Sequence, residues 1–273
     1  VRELLYDQPP HLSRGTLILA PVVNIDGLEH HSRYLPDRRD LNRCFPGSEN
    51  GSPSNRLAHA ILNEIVLQCD CGIDFHSAAV RRTNYPNVRA NLRRKATREL
   101  AMAFGVELVV NSAGPEGSLR RTATDAGVPT IILEAGEVWK IEPGVVEVGV
   151  RGCMNVLKHL DMIAGAPKSP PFQAVIERTS WVRTGRGGIL SFHARPGELV
   201  EEGQHIATCT SVFGRERSHI NSPVYGIVLG MTTMPAVKPG DPVYHIAKVP
   251  WRRFRAVKRQ LDGSPARGLY KRL

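Results

Sequence analysis

Hydrophobic and polar positions along this chain follow two different rhythms. Up to about residue 160, apolar runs and helix-spaced apolar positions alternate. Residues 15–23 (Gly-Thr-Leu-Ile-Leu-Ala-Pro-Val-Val) are almost continuously apolar, which predicts a strand buried on both faces. Residues 24–54 are polar and rich in Gly, Pro and Arg, too long for a simple connection, and predict a functional loop. Leu57, Ile61, Leu62, Ile65 and Val66 recur at helical spacing, so a helix is expected over 54–68 with Ser54 as its N-cap. Strand-like pieces follow at 72–75, 106–110 and 128–133, with helices at about 94–104 and 145–160. Strands alternating with helices predict an α/β fold with a mostly parallel sheet.

At Ala164-Gly-Ala-Pro-Lys-Ser-Pro-Pro171 the composition turns to that of a linker. Beyond it, short strand-like runs are separated by Gly and Pro, with no helical pattern before Val249. A faint repeat is present: Val200 and Gly203 correspond to Val237 and Gly240, 37 residues on, and each copy leads into His-Ile-Ala. A two-fold repeat of short strands predicts a small all-β barrel-sandwich domain. The expected organisation is an α/β domain over 1–165, an all-β domain over 172–248 and a basic tail over 249–273.

Composition narrows the class. With 273 residues, 41% of them hydrophobic and 23% charged, the chain is ordinary for a globular protein of one large or two smaller domains. No run of about 18 apolar residues exists, so no transmembrane helix or membrane partner is expected. The first residues lack the basic stretch and apolar run of a signal peptide. The five cysteines (Cys44, Cys69, Cys71, Cys153 and Cys209) are odd in number, in a chain too large to need disulfide staples. A reduced, cytoplasmic protein is expected. Cys69-x-Cys71, with no second pair nearby, reads as two residues entering a buried strand.

The formal charge of +10 is unevenly spread, because residues 249–273 hold eight basic residues against Asp262. Trp251, Phe254 and Tyr270 lie among them, a mixture suited to RNA, phosphates or an acidic partner. The plainer expectation carries more weight: a solvated tail, or a short helix packing Trp251 and Phe254 on the body.

Three clusters carry candidate chemistry, two of them at strand ends, where α/β sheets place their sites. Ile73-Asp74-Phe75-His76-Ser77 is a short strand ending in a histidine. Thr130-Ile-Ile-Leu-Glu134-Ala-Gly136-Glu137 is an apolar strand running into a carboxylate, which needs a partner, a metal or a catalytic duty. Ser32-Arg33-Tyr-Leu-Pro-Asp37-Arg-Arg-Asp40-Leu-Asn42-Arg43-Cys-Phe-Pro-Gly47 is dense in guanidiniums, which pair bidentately with carboxylates and phosphates. Internal Arg–Asp pairing is the bland explanation of that loop.

Together, Arg-x-x-Pro-Asp, Asp-Leu-Asn-Arg-x-Phe-Pro-Gly, Asp-Phe-His-Ser and Leu-Glu-Ala-Gly resemble the succinylglutamate desuccinylase/aspartoacylase family, which is related in fold to the zinc carboxypeptidases. The resemblance runs over about 15–160, and the following β region looks like that family's C-terminal domain. It implies a Zn2+ cofactor with His76 as one metal ligand, and Glu134 as general base and acid. It implies that Arg33 polarises the scissile carbonyl and that Asn42 and Arg43 grip the substrate carboxylate. Arg120 or Arg121 would add a further anion contact. The implied reaction is metal-assisted hydrolysis of an acetyl or succinyl amide on a small acylated amino acid.

One departure bears on the metal. The family's other two ligands come from a His-x-x-Glu motif ahead of the strand matching 17–23, and none of the ten histidines has Glu three positions on. With three ligands normal for catalytic zinc, the two missing ones are expected upstream of residue 1, in a chain that also lacks an initiator Met. Impaired catalysis by the chain as given is the corollary; the alternative is a metal-free descendant. Two further functions stay open: a carboxypeptidase-like peptidase on small peptides, and a non-catalytic binder of an anionic metabolite or RNA. Homo-oligomerisation is also open. The β repeats are similar to biotinyl and lipoyl carrier domains, but Thr210–Arg217, where the modified Lys should sit, contains none. Phe213, His219 and Tyr244 are the β-region residues expected to approach the site, if any do.

Overall fold

Two sheets organise residues 1–262, the span described by the computed structural model. Arg267, Tyr270, Lys271 and Arg272 of the basic tail lie outside the described residues. In chain order the first part supplies α1 (Ile25–Glu29), α2 (Pro53–Ala60), β1 (Gly72–His76), β2 (Arg82–Ala90) and α3 (Lys95–Phe104). Next come β3 (Leu108–Asn111), α4 (Leu119–Asp125), β4 (Thr130–Glu137) and α5 (Pro143–His159). The β region follows with β5 (Ala174–Ile176), β6 (Thr179–Arg183), β7 (Gly188–Phe192), β8 (Leu199–Val200) and β9 (His205–Thr210). It ends with β10 (Arg217–Asn221), β11 (Gly226–Thr232), β12 (Ala236–Val237), β13 (Pro242–Lys248) and the helix α6 (Trp251–Asp262).

The larger sheet has nine strands with a path β1-β4-β2-β11-β13-β6, to which β3, β5 and β8 add. It is mixed, which corrects the mostly parallel expectation. β1 runs parallel to β4, and β3 parallel to β2 and β5, but β2 is antiparallel to β4 and β11. The cause is local: only residues 77–81 separate β1 from β2. Parallel strands need a crossover of about a dozen residues or more, so this short return must reverse direction, and β4 then inserts between the two. The sheet also continues from β2 into β11, so one hydrogen-bonded surface spans both sides of the 164–171 segment. The smaller sheet is antiparallel, ordered β10-β9-β7-β12.

The repeat maps onto both sheets. Gly203 and Gly240 each take positive φ, one between β8 and β9, the other between β12 and β13. The two copies are exchanged, since β8 and β13 join the large sheet while β9 and β12 join the small one. Val182, Leu190, Ile206, Val228 and Tyr244 form one buried cluster drawn from both sheets.

Helix α3 buries Thr97, Leu100, Ala101 and Phe104, one stripe at helical spacing, and ends at Gly105 in the left-handed region. Helix α5 covers the same cluster with Val156. Removing a side chain the size of Phe104 from water contributes roughly 1.5–3 kcal/mol. Phe254 of α6 is buried against Tyr225, and Trp251 leans on the same ring half-exposed, the arrangement the plainer reading of the tail expected.

Residues 15–23 do not form the expected strand. Ile18, Val22 and Val23 are exposed, and no ladder pairs with the run among the described residues. An apolar run becomes a buried strand only when neighbours supply ladder bonds and cover for both faces; among the described residues no strand pairs with this run, and Leu17 and Leu19 are only half-buried. The 54–68 helix begins at Pro53, with Ser52 rather than Ser54 in the capping position, and passes into a π-turn at Ile61–Ile65. Strand β2 and helix α4 add to the elements expected from periodicity; Arg and Asn among the β2 positions mask its apolar face. No helix among the described residues is long and apolar enough to cross a membrane, and all five cysteines are free thiols.

Candidate active site

The period of two along a strand puts Asp74 and His76 on one face of β1. The parallel register sets His76 opposite Glu134 and Asp74 opposite Ile132. On the other side of β4, β2 brings Asn87 opposite Glu134 and Arg89 opposite Ile132. Three strands thus contribute one polar patch. His76 Nε2 lies 2.8 Å from Asp74 Oδ2, and Asn84 Nδ2 donates to Glu134 Oε2 at 3.0 Å. Arg89 Nη1 is 3.8 Å from Glu134 Oε1. A register shift between Asn84 and Asn87 re-aims Asn84 toward Glu134, a familiar use of a bulge beside a site.

Electrostatics follow from this crowding. Burial works against a charged His76, but the Asp74 hydrogen bond and the charges of Asp74 and Glu134 outweigh it and raise the His76 pKa, Arg33 opposing. Arg120 is buried and donates through Nη1 to the Ser112 carbonyl at 2.7 Å, while its Nε finds no partner. Burial, aided by the like charge of Arg89 and resisted by Glu134 and Asp74, lowers the Arg120 pKa to about 10, so it is cationic at neutral pH. Arg121 points elsewhere, to Glu116 and Asp125 at the surface.

The polar loop forms the facing wall. Asp37 accepts the Ser54 hydroxyl at 2.5 Å and the Ser54 N–H at 3.1 Å, which ties the loop to the first turn of α2. The hydrogen bond from the Ser54 hydroxyl, against the effect of burial, lowers the Asp37 pKa to about 2. Arg33 donates through Nε and Nη2 to Asp40 Oδ2 at 3.0 and 2.8 Å, and Asp40 Oδ1 accepts the Asn42 N–H. Asn42 Oδ1 accepts the Leu119 N–H at 2.9 Å and so helps cap α4. Gly117, with φ +73, lies so close to the Arg43 carbonyl that a Cβ would collide with it, so this contact needs glycine. The Arg43 side chain is exposed and folds back onto the Asn42 carbonyl.

Between loop and sheet lies a cavity of about 380 Å3 lined by Arg33, Asp40, Asn42, Asp74 and His76, with Trp139 at one side. Its size falls near the small end of ligand pockets, which span about 300–1,000 Å3. Glu134, Arg43, Arg120 and Arg121 are not among its lining residues. Glu134 sits opposite His76 in the β1–β4 ladder and Arg120 lies within reach of the Glu134 and Asp74 charges, whereas Arg43 folds onto the Asn42 carbonyl and Arg121 faces Glu116 and Asp125. Phe213, His219 and Tyr244 of the β region do not line the cavity. Tyr244 is buried with its hydroxyl between the Ala194 and Ile206 carbonyls, Phe213 is 88% exposed, and His219 sits on the small sheet.

His76 has the surroundings of a metal-ligating histidine, since such rings usually hold a carboxylate on the nitrogen that does not bind metal. Two further ligands are not beside it among the described residues. The group of three metal-competent side chains they contain is Asp26, Glu29 and His30, all exposed on the short helix α1. The described residues therefore do not compose a three-ligand zinc site at His76. Asp74, Asn84 and Arg89 are the site residues that sequence reasoning left without a role. Asp74 was legible, two positions before His76 on a strand; Asn84 and Arg89 belonged to a strand not recognised.

Known proteins bear on this geometry. A model of the succinylglutamate desuccinylase/aspartoacylase catalytic domain matches residues 1–160. The chain is similar to N-alpha-acetyl-L-2,4-diaminobutyric acid deacetylase of Halomonas elongata, 23% identical over 253 residues, 86% of this chain and 73% of that protein. The crystal structure of a succinylglutamate desuccinylase/aspartoacylase from Rhodobacter sphaeroides superposes with TM-score 0.75 at 26% identity, over 84% of this chain and 74% of that one. The product-bound ectoine utilization protein EutE (DoeB) from Ruegeria pomeroyi gives TM-score 0.76 at 21% identity, over 85% and 75%. These structural likenesses cover more than the catalytic-domain match and so take in much of the β region.

Proposed function

The chain belongs to the succinylglutamate desuccinylase/aspartoacylase family, and on that footing we propose that it is a hydrolase of amide bonds in small N-acyl amino acids. The acyl group is acetyl or succinyl. The observation that carries this reading is the polar patch itself: Glu134 held by Asn84 across the β1–β4 ladder from the Asp74–His76 pair, beside a small cavity walled by Arg33 and Asn42. The name of the Halomonas relative, a deacetylase of an acetylated diamino acid, supports the substrate class.

In this reading Glu134 takes a proton from the attacking water and returns it to the leaving amine. Asn84 holds one carboxylate oxygen and Arg89 faces the other, which keeps the base oriented. Arg33 stabilises negative charge as it develops on the scissile carbonyl oxygen. Asn42 presents its amide at the cavity wall toward the substrate carboxylate, and Arg120 supplies fixed positive charge behind it. His76 is proposed as a zinc ligand by family resemblance; a complete ligand set does not stand beside it among the described residues, and activity of this chain by itself is expected to be impaired.

A second reading, a non-catalytic anion binder, is favoured by Arg33 at the cavity and by the lack of two further metal ligands beside His76 among the described residues. Incubation with Zn2+ and N-acetyl- or N-succinyl-amino acids separates the two, with release of free acid as the measurement. The expected outcome is slow release, no cleavage of dipeptides, and a loss of 100-fold or more in kcat for Glu134→Gln, general acid–base catalysis being worth about 10²–10⁴. Undiminished turnover in Glu134→Gln, with native circular dichroism, would overturn the role of Glu134. Binding of N-acyl amino acids with no release of acid would favour the anion binder.

A further inference from the structure

The outer face of the small sheet carries three exposed histidines that the proposed reaction does not use. His193 follows β7, His205 opens β9 and His219 lies in β10, while Ile206 and Ile220 turn into the core. His219 is paired with Thr208 in the β9–β10 ladder, and the irregularity between Ile220 and Asn221 brings it diagonally onto His205. The four polar groups touch in sequence. His193 Nε2 is 2.9 Å from Thr208 Oγ1, Thr208 Oγ1 is 3.0 Å from His205 Nε2, and His205 Nε2 is 3.1 Å from His219 Nδ1. The His205 ring centroid lies 4.6 Å from that of His193 and 4.5 Å from that of His219.

This chain of contacts closes in one way for neutral rings. His205 Nε2 keeps its single lone pair, which the Thr208 hydroxyl and His219 Nδ1–H share in a three-centre arrangement, while Thr208 accepts from His193 Nε2–H. A lone pair at His205 Nε2, shared with a second ring nitrogen 3.1 Å away, is ligand spacing. Two imidazole nitrogens bound to one ion at about 2.0–2.1 Å, at angles of roughly 90–110°, stand about 2.9–3.4 Å apart.

We propose that His205 and His219 form a surface site for a divalent first-row transition metal. The metal takes the His205 Nε2 lone pair in place of the Thr208 hydroxyl and His219 Nδ1–H hydrogen bonds, the hydroxyl turns to water, and the His219 proton moves from Nδ1 to Nε2 through solvent. Both ligands stay neutral, no electron is transferred, and water completes the coordination. Imidazole donors select Cu2+, Ni2+ or Zn2+ over Mg2+ or Ca2+, and Cu2+ binds most tightly. Because the ion spans neighbouring strands of the folded protein, its binding stabilises the native state. In the metal-free protein His193 and Thr208 are positioning residues that hold the His205 ring toward His219.

The test uses the untagged chain and the metal alone. Calorimetric titration with Cu2+ and with Ni2+ is expected to show one equivalent bound at this site, and His76→Ala is expected to leave it unchanged. His205→Ala and His219→Ala are each expected to weaken it at least tenfold; as both residues are exposed, their circular dichroism should match the parent. At one equivalent of Cu2+, the electron paramagnetic resonance spectrum should show coupling to at least two nitrogens, reduced in either variant. Ni2+ should raise the melting temperature of the parent and of His76→Ala, but not of His205→Ala. Binding that survives in the double variant, binding abolished by His76→Ala, or no binding by the parent would each overturn the proposal.

Discussion

His245 shows how a single residue answers to its surroundings. It is buried, stacked on Trp181 with ring centroids 4.2 Å apart, and its Nε2 has no hydrogen-bond partner. Burial, reinforced by the charges of Arg89 and Arg82, lowers its pKa to about 4. In the unfolded chain an imidazole titrates near 6.5. Above that pH the ring is neutral in both states and adds no pH dependence to stability. Between about 6.5 and 4 the unfolded chain takes up a proton that the folded one refuses, so stability falls as pH falls, by roughly 3 kcal/mol over the window. Urea denaturation at several pH values should show this slope in the parent and a flatter one in His245→Phe, which keeps the stack without the titration. An equal slope in both would remove His245 as its source.

Among elements, the α3–α5 contact is the most sharply specified. Gly152 of α5 faces the Phe104 ring so closely that a Cβ would fall on it. Gly152→Ala should therefore drive the helices apart and lower stability by about 1–3 kcal/mol in a urea titration, the usual cost of overpacking. Phe104→Ala alone should cost about 3–5 kcal/mol. The double variant should lose less than the sum, because the added methyl enters the vacated space. Both helices and strands β1, β3 and β4 were legible from periodicity, since an apolar stripe or run records which face is buried. Strand β2 was not, because Arg82, Asn84, Asn87 and Arg89 interrupt its apolar pattern with polar side chains, Asn87 even though it is fully buried. Residues 15–23 are the opposite case: they have the composition of a buried strand, yet among the described residues no strand pairs with them and Ile18, Val22 and Val23 are exposed.

At the scale of the molecule, the continuous sheet couples the β region to the site. Gly230 of β11 is paired with Asn84 of β2, and a Cβ there would stand 2.5 Å from Asn84 Oδ1 and 2.7 Å from the Thr83 carbonyl. Gly230→Ala should push Asn84 off Glu134 and pry the strands apart. Kinetic assays should show kcat reduced roughly tenfold, as expected for a lost hydrogen bond to a carboxylate, with stability lowered by about 1–3 kcal/mol. Asn84→Ala should reproduce most of the kinetic loss with a smaller effect on the urea midpoint. An unchanged kcat in both would show that Glu134 needs no support from across the sheet.

What could be read without coordinates was what local order encodes: the periodic elements, and side chains whose chemistry makes them costly to bury. His76 at a strand end and Glu134 within an apolar strand stood out for that reason. Tertiary structure decided what depends on partners distant in the chain. It reversed β2, joined β2 to β11, turned Arg120 inward and Arg121 outward, and laid Asn84 and Arg89 beside Glu134. Direction, pairing and burial are set by which surfaces meet, and no window of sequence contains both surfaces.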